Sequence, residues 1–428
     1  MNNINAQKIV VVGLGYVGLP LALLSERKGH HVIGIDTDES KLSLLREKKS
    51  PFLEEAVTKY LGDSKIDFTS DFSKILGTNI VIICVPTPVY DNHMPNLDLV
   101  VSASTKVAEQ LSKGQLVILE STVNPEVTES IVLPILESVS GLRGGVDFYL
   151  AHAPERINPG DKKWNVENIN RVVGSLEPIG LEKAASFYES ILTGSVKRMG
   201  SLKEAEAVKV VENSFRDINI AFVNELARSF DKLGIDIVNV IDGAATKPFA
   251  FMAHYPGCGV GGHCIPVDPY YLIEHAKKNG FEHDFLSLAR RINNDMPNFT
   301  INKLEEGLNE VKKSINGSIV AVLGVSYKSN IDDCRESPSF HIIDLLRKKG
   351  AEVRIYDPFV MRESNVDSLE SALVGADAVI LATAHNQFKE IEIQKYKDAG
   401  VKIVVDGRNA LPKNEFITAG IVYKGIGR

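Results

Sequence analysis

Apolar positions along this chain come in two textures. One is the short, almost wholly apolar run: Lys8–Gly13, His31–Asp36, Ile80–Val85, Leu116–Glu120 and Phe148–Ala151. The other is a longer stretch mixing polar and apolar residues at helical spacing, of which Tyr16–Lys28 is the first. Wholly apolar runs belong to strands covered on both faces, and their alternation with helices predicts a parallel sheet. Ser201–Gly234 differs. It is one unbroken helical pattern with no internal glycine or proline, closed by Gly234 as a C-cap. It far exceeds the usual helix of about 11–12 residues, so a spine between domains or a dimer surface is expected. From Ser318 the alternation resumes, with strands over Ser318–Leu323, Val353–Tyr356, Ala378–Ala382 and Lys402–Val405 and a helix opening at Ser337-Pro338. The predicted fold class is α/β: two parallel-sheet domains joined by a long central helix.

Composition narrows the partners. At 44% apolar and 24% charged residues the chain reads as soluble and globular. A net charge of −7 argues against nucleic acid but leaves room for an anionic small molecule in a locally basic pocket. Four cysteines are too few for a disulfide scaffold, and a free reactive thiol fits a reducing compartment. Met1–Gln7 is polar without a basic leader, and the apolar stretch Ile9–Leu24 is interrupted by three glycines. A cytoplasmic protein with no membrane partner is expected.

Gly13-Leu14-Gly15-Tyr16-Val17-Gly18 follows the first strand and opens the first helix. The first glycine permits the tight turn, the second lets a pyrophosphate approach the helix N-terminus, and the third allows close helix–strand packing. Asp36 ends the second strand about 20 residues on, where an acid bonds an adenosine ribose and repels a 2′-phosphate. A Rossmann-like domain holding NAD is therefore expected. Val85-Pro86-Thr87-Pro88, Glu120-Ser121-Thr122 and Pro154-Glu155-Arg156 all follow strands, where the ligand crevice of an open α/β sheet lies. Glu155 is the candidate general base among them.

The most informative segment is Pro256–Pro269, PGCGVGGHCIPVDP. It sets Cys264 at the end of a glycine-rich loop with Asp268 four residues on. A thiolate there is a nucleophile toward a carbonyl carbon. A metal site from Cys258, His263 and Cys264 is the rival reading, but it lacks the paired spacing of zinc ligands. Metal: none is expected. On the long helix Lys209 and Asn213 are four apart and share a face, an ammonium and an amide suited to an oxyanion. Gly324-Val325-Ser326-Tyr327-Lys328 and Asp332–Pro338 place Lys328 and Arg335 beside a strand end, and Asp406-Gly407-Arg408 adds a guanidinium. Their spacing is not that of a dinucleotide turn, so a different nucleotide is expected there.

In this order, these residues resemble the UDP-glucose/GDP-mannose dehydrogenase family, over nearly the whole chain. Gly13–Pro20, Glu204–Glu225, Gly257–Pro269 and Gly324–Pro338 are the most specific pieces. The resemblance implies an NAD-binding Rossmann domain over 1–200, a central helical dimerisation region over 201–300 and a UDP-sugar domain over 301–428. It implies oxidation of a sugar C6 alcohol to the carboxylate with two NAD. Cys264 matches the family nucleophile, with Lys209, Asn213 and Asp268 supporting it and Glu155 serving thioester hydrolysis. Gly13, Gly15, Tyr16, Val17, Gly18, Asp36, Lys41, Thr87 and Thr122 match cofactor contacts. Gly261, Lys328, Arg335 and Arg408 match groups near the nucleotide sugar.

Pro154–Gly160, PERINPG, resembles the branch acting on UDP-N-acetylhexosamines, with Arg156 and Asn158 as candidate sugar contacts. UDP-GlcNAc is the favoured substrate, UDP-ManNAc next, UDP-glucose the alternative, and a homodimer is expected. Two other classes stay open. A single-step NAD dehydrogenase would release one NADH per substrate. A non-catalytic binder of NAD or UDP-sugar would show no enhanced reactivity at Cys264.

Overall fold

The computed structural model describes residues 6–52, 54–90, 94–157 and 163–428, the side chains of 55 and 56 excepted. The chain forms two compact units, one of residues 1–212 with 270–281 and one of 213–269 with 282–428.

The first unit is built on an eight-stranded sheet of β1 (Lys8–Val12), β2 (His31–Ile35), β3 (Asp67–Thr69), β4 (Ile80–Ile83), β5 (Leu116–Leu119), β6 (Tyr149–His152), β7 (Arg171–Ser175) and β8 (Val196–Arg198). Their order is β3-β2-β1-β4-β5-β6-β7-β8. Successive residues of β1 show why its run is wholly apolar. Ile9 and Val11 pack with Leu19 and Leu23 on one face, while Val10 and Val12 pack with Val100 and Val107 on the other. Strand order reverses around β1, which lies between β2 and β4, so a ligand crevice opens beyond their C-terminal ends. One pairing departs from the expected parallel sheet: β7 runs antiparallel to β6. Helix α1 (Gly18–Arg27) follows β1, and α2 (Pro178–Ile191) follows β7.

Helix α3 (Leu202–Leu233) is the expected long helix, and Gly234 closes it at φ +68°. Helix α4 (Asp268–Lys278) follows the cysteine loop, and α5 (Asp284–Glu310) runs on through an internal Pro297. Residue 300 thus lies inside α5, not in a connection.

The second unit carries a five-stranded, wholly parallel sheet of β9 (Ile319–Leu323), β10 (Glu352–Tyr356), β11 (Ala378–Leu381), β12 (Ile403–Asp406) and β13 (Val422–Gly425), in the order β10-β9-β11-β12-β13. Here too the order reverses, around β9. Helix α6 (Pro338–Lys348) begins at the predicted proline, capped by the Ser337 hydroxyl. Among the described residues no helix is long and apolar enough to cross a membrane.

Candidate active site

In the first unit the turn after β1 has the geometry a dinucleotide needs. Gly13 sits at φ +93°, and a Cβ there would lie 2.6 Å from the Cys84 carbonyl oxygen, so no other residue fits. A Cβ at Gly15 would meet nothing within 4 Å, which leaves the approach to α1 open. No side chain caps the N-terminus of α1, whose positive end favours an anion; in its first turn Leu19 donates to the Gly15 carbonyl at 3.2 Å and Pro20 carries no amide hydrogen. The buried Asp36 carboxylate is fixed at the end of β2. It accepts from the amides of Leu14 at 2.8 Å and Asp38 at 3.0 Å, and from the Lys41 ammonium at 2.7 Å. Tyr16 packs against Phe52, ring centroids 4.2 Å apart. Thr87 and Thr122 lie half-buried beyond β4 and β5. The Tyr271 hydroxyl donates to the Thr87 carbonyl, and the Ser121 hydroxyl donates to the Val85 carbonyl at 2.7 Å. These residues fit NAD.

Below that edge lies a buried ionic group. Glu120 follows β5 directly, Glu155 lies beyond β6, and Arg171 opens β7; the Arg171 side chain is fully buried. Arg171 donates to a Glu155 carboxylate oxygen at 2.6 Å and lies 3.4 Å from Glu120. Tyr188, on α2, donates its hydroxyl to Glu120, and the Cys84 thiol lies 3.9 Å from the same carboxylate. Burial pushes Glu120 up to about 7 against the pull of Arg171. Burial, with the nearby carboxylates, likewise holds the Cys84 thiol well above its ordinary range, which marks it as inert. The other Glu155 oxygen accepts from the amides of Arg156 at 2.6 Å and Ile157 at 2.8 Å.

Arg156 is committed within this unit. Its guanidinium grips both carboxylate oxygens of Glu212, one at 3.1 Å, and donates to the Asn170 carbonyl at 2.9 Å. Asn158 lies outside the described residues. Lys209, one turn before Glu212 on α3, is half-buried.

The second unit holds the thiol. Cys264 is partly exposed, and its carbonyl accepts from the amides of Val267 at 3.1 Å and Asp268 at 2.8 Å, seating it immediately before α4. Asp268, 2% exposed, accepts from the Asn213 side-chain amide at 2.6 Å. The glycines ahead of Cys264 have a steric cause. Gly262 adopts φ +90°, and a Cβ there would sit 2.9 Å from the Tyr327 ring. At Gly261 it would sit 2.8 Å from the Glu336 carbonyl oxygen. Arg408 braces the loop, donating to the carbonyls of Gly259 at 3.2 Å and Ala382 at 2.7 Å. Arg335 pairs with Asp333 at 2.6 Å, and Lys328 is half-buried one residue after Tyr327. Burial, with Asp333 and Cys264 nearby, pushes the Tyr327 phenol up to about 12. Cys258 points away from this chemistry: it is fully buried, its thiol facing the Ala382 carbonyl at 3.5 Å.

The structure thus brings Gly13, Asp36 and Lys41 together in one unit, and Asn213, Asp268, Cys264 and Gly261 in the other. Sequence reasoning missed Arg171, Tyr188, Glu212 and Tyr327. For Arg171 the available signal was a charged residue opening the apolar run Val172-Val173.

Comparison with known proteins covers the whole of this arrangement. Residues 7–192 match the model of the UDP-glucose/GDP-mannose dehydrogenase family NAD binding domain, 203–295 its central domain and 321–413 its UDP binding domain. The chain is 37% identical over 426 residues to UDP-N-acetyl-D-mannosamine dehydrogenase of Pyrococcus horikoshii, covering 98% of this chain and 99% of that protein. It is 37% identical over 399 residues to UDP-N-acetyl-D-glucosamine 6-dehydrogenase of Pseudomonas aeruginosa, covering 92% and 94%. The solved structure of UDP-D-ManNAc dehydrogenase from Pyrococcus horikoshii superposes with a TM-score of 0.92, covering 98% of this chain and 99% of that one.

Proposed function

The chain belongs to the UDP-glucose/GDP-mannose dehydrogenase family of NAD-dependent nucleotide-sugar dehydrogenases, and from that premise we propose that it oxidises the C6 alcohol of a UDP-N-acetylhexosamine to the carboxylate through a thioester on Cys264. The observation that carries this reading is the partly exposed Cys264, whose carbonyl accepts from the amide of Asp268 four residues on, with the Asp268 carboxylate held by Asn213.

Bound NAD supplies the hydride acceptor for both oxidations. Gly13, Gly15, Tyr16, Val17, Gly18, Asp36, Lys41, Thr87 and Thr122 would hold it. Lys209 and Asp268 manage the proton leaving the C6 hydroxyl. The Cys264 thiolate then adds to the aldehyde carbon. An aldehyde has no C–H beside an oxyanion from which hydride readily leaves, and thiol addition creates one. Lys209 and Asn213 stabilise that oxyanion; the Asn213 amide has two N–H donors, and one goes to Asp268. Glu155 takes a proton from the water that hydrolyses the thioester. Lys328, Arg335 and Arg408 serve the nucleotide sugar with Gly261, and Arg156 acts from its place against Glu212.

Of the acetamido sugars, UDP-GlcNAc is the reading carried forward from the Pro154–Gly160 segment. UDP-ManNAc is the second reading, supported by the full-length likeness to the Pyrococcus enzyme. We propose a homodimer built on α3, whose Val211, Phe215 and Phe222 are exposed apolar residues at helical spacing. The test is NADH yield and kcat/KM over a panel of UDP-GlcNAc, UDP-ManNAc, UDP-GalNAc and UDP-glucose. Two NADH per acetamido sugar is expected. A preference for UDP-glucose, or one NADH per sugar, overturns the reading.

A further inference from the structure

Glu120 and Glu155 share one buried guanidinium, and they do not share it equally. Arg171 lies 2.6 Å from Glu155 and 3.4 Å from Glu120. A carboxylate offers about four lone-pair positions. Among the described residues three of those on Glu155 are taken: two on one oxygen by the amides of Arg156 and Ile157, and one on the other by Arg171. One acceptor direction is left, on the oxygen that Arg171 holds.

Among the described residues, the ionisable side chains set against Glu120 form one knot. These are Arg171 from β7, the Tyr188 hydroxyl from α2, the Cys84 thiol beyond β4 and Glu155 beyond β6. Two carboxylates and a single cation in a buried site carry one negative charge too many. Such a site favours keeping a proton, and Glu120, fully buried by its side chain, is the place for it.

We propose that Arg171 and Glu120 are positioning residues for thioester hydrolysis: Arg171 aims the one open acceptor direction of Glu155, and Glu120 sets how strongly Arg171 grips it. This rests on the reading of Glu155 as the hydrolytic base. In that step the water oxygen bonds to the C6 carbonyl carbon while Glu155 takes one of its protons. The C6–S bond breaks with its electron pair left on Cys264, and the second proton is shed as the new acid ionises. With Glu120 protonated, the whole guanidinium charge faces Glu155, and its carboxylate takes a proton from water poorly. With Glu120 ionised, a second negative charge competes for Arg171, and Glu155 accepts the proton more readily. Burial pushes Glu120 up to about 7, so this exchange falls in the neutral range.

The experiment follows the hydrolytic phase after the NADH burst in the full-length enzyme, from about pH 5.5 to 9, with the Cys264 adduct quantified by mass spectrometry. The wild type is expected to speed up through a midpoint near neutrality. Glu120→Gln is expected to be flat, at the rate the wild type shows at low pH. Tyr188→Phe removes a donor that favours the Glu120 charge and is expected to move the midpoint upward; it also keeps the test open if Glu120→Gln fails to fold. A wild-type midpoint in both variants overturns the proposal. Glu155→Gln separates the two claims. If it accumulates the adduct while the other variants keep the wild-type profile, only the positioning proposal falls. If it hydrolyses at the wild-type rate, the reading of Glu155 itself falls.

Discussion

Asn213 donates its side-chain amide to the Asp268 carboxylate at 2.6 Å, tying the central helix to the first turn of the helix after Cys264. Asp268 is 2% exposed and Asn213 is half-buried, so loss of either side chain removes a hydrogen bond that is largely shielded from water. Asp268→Asn is expected to lower kcat about 10²–10³-fold, the scale of losing one preorganised polar group. UDP-sugar Kd should be unchanged if, as proposed, the pair serves the reacting atoms. Single-turnover kinetics and calorimetric titration check both halves, and a loss confined to Kd speaks against this assignment.

The loop ahead of Cys264 is held in place sterically. Gly262→Ala places a methyl 2.9 Å from the Tyr327 ring at φ +90°. A destabilisation of about 1–3 kcal/mol is expected from the backbone strain alone. Gly243→Ala is the control: it lies in the helix Ile237–Ala245, and its added Cβ meets nothing within 4 Å. That substitution should stabilise by about 0.5–1 kcal/mol. Denaturant unfolding of the two variants gives the comparison.

Glu120 also shapes stability against pH. Burial raises its folded-state pKa from the ordinary carboxylate value to about 7. The folded state therefore binds a proton that the unfolded chain has already released. Its contribution is fully present below the unfolded value and is lost as pH climbs through the folded one. The Tm of the wild type relative to Glu120→Gln should accordingly fall between about pH 4.5 and 7. A constant difference across that window contradicts the account.

Phe215 and Phe222 are about half exposed on α3, at 49% and 52%. Exposed aromatics at helical spacing on so long a helix need cover. Phe222→Glu is expected to convert a dimer to a monomer, read as a halving of mass by light scattering. An unchanged mass places the interface elsewhere.

The parts of the fold that rest on dense local signals were legible in the sequence. Ile9–Val12 alternates between two buried faces, so its run had to be wholly apolar, and Gly234 closes α3 because only the left-handed region ends the helix there. The antiparallel sense of β7 was not legible, because it is set by pairing with β6 and not by the residues of Arg171–Ser175 themselves. Nor was α5, in which Pro297 sits mid-helix and reads as a break. At the candidate site the turn at Gly13 and the loop at Cys264 announced themselves through glycine spacing. Arg171 did not, since its partners Glu120 and Glu155 follow other strands and meet it only through the sheet order. Arg156 looked like a free sugar contact because its partner Glu212 is distant in sequence.

The central claim is covalent oxidation on Cys264, and the most direct measurement is NADH formation from the C6 aldehyde of the UDP-N-acetylhexosamine by the wild type and Cys264→Ser. The wild type is expected to release one NADH per aldehyde and to carry a transient adduct on Cys264, while Cys264→Ser forms neither at a measurable rate. NADH formed from the aldehyde by Cys264→Ser at the wild-type rate contradicts the account.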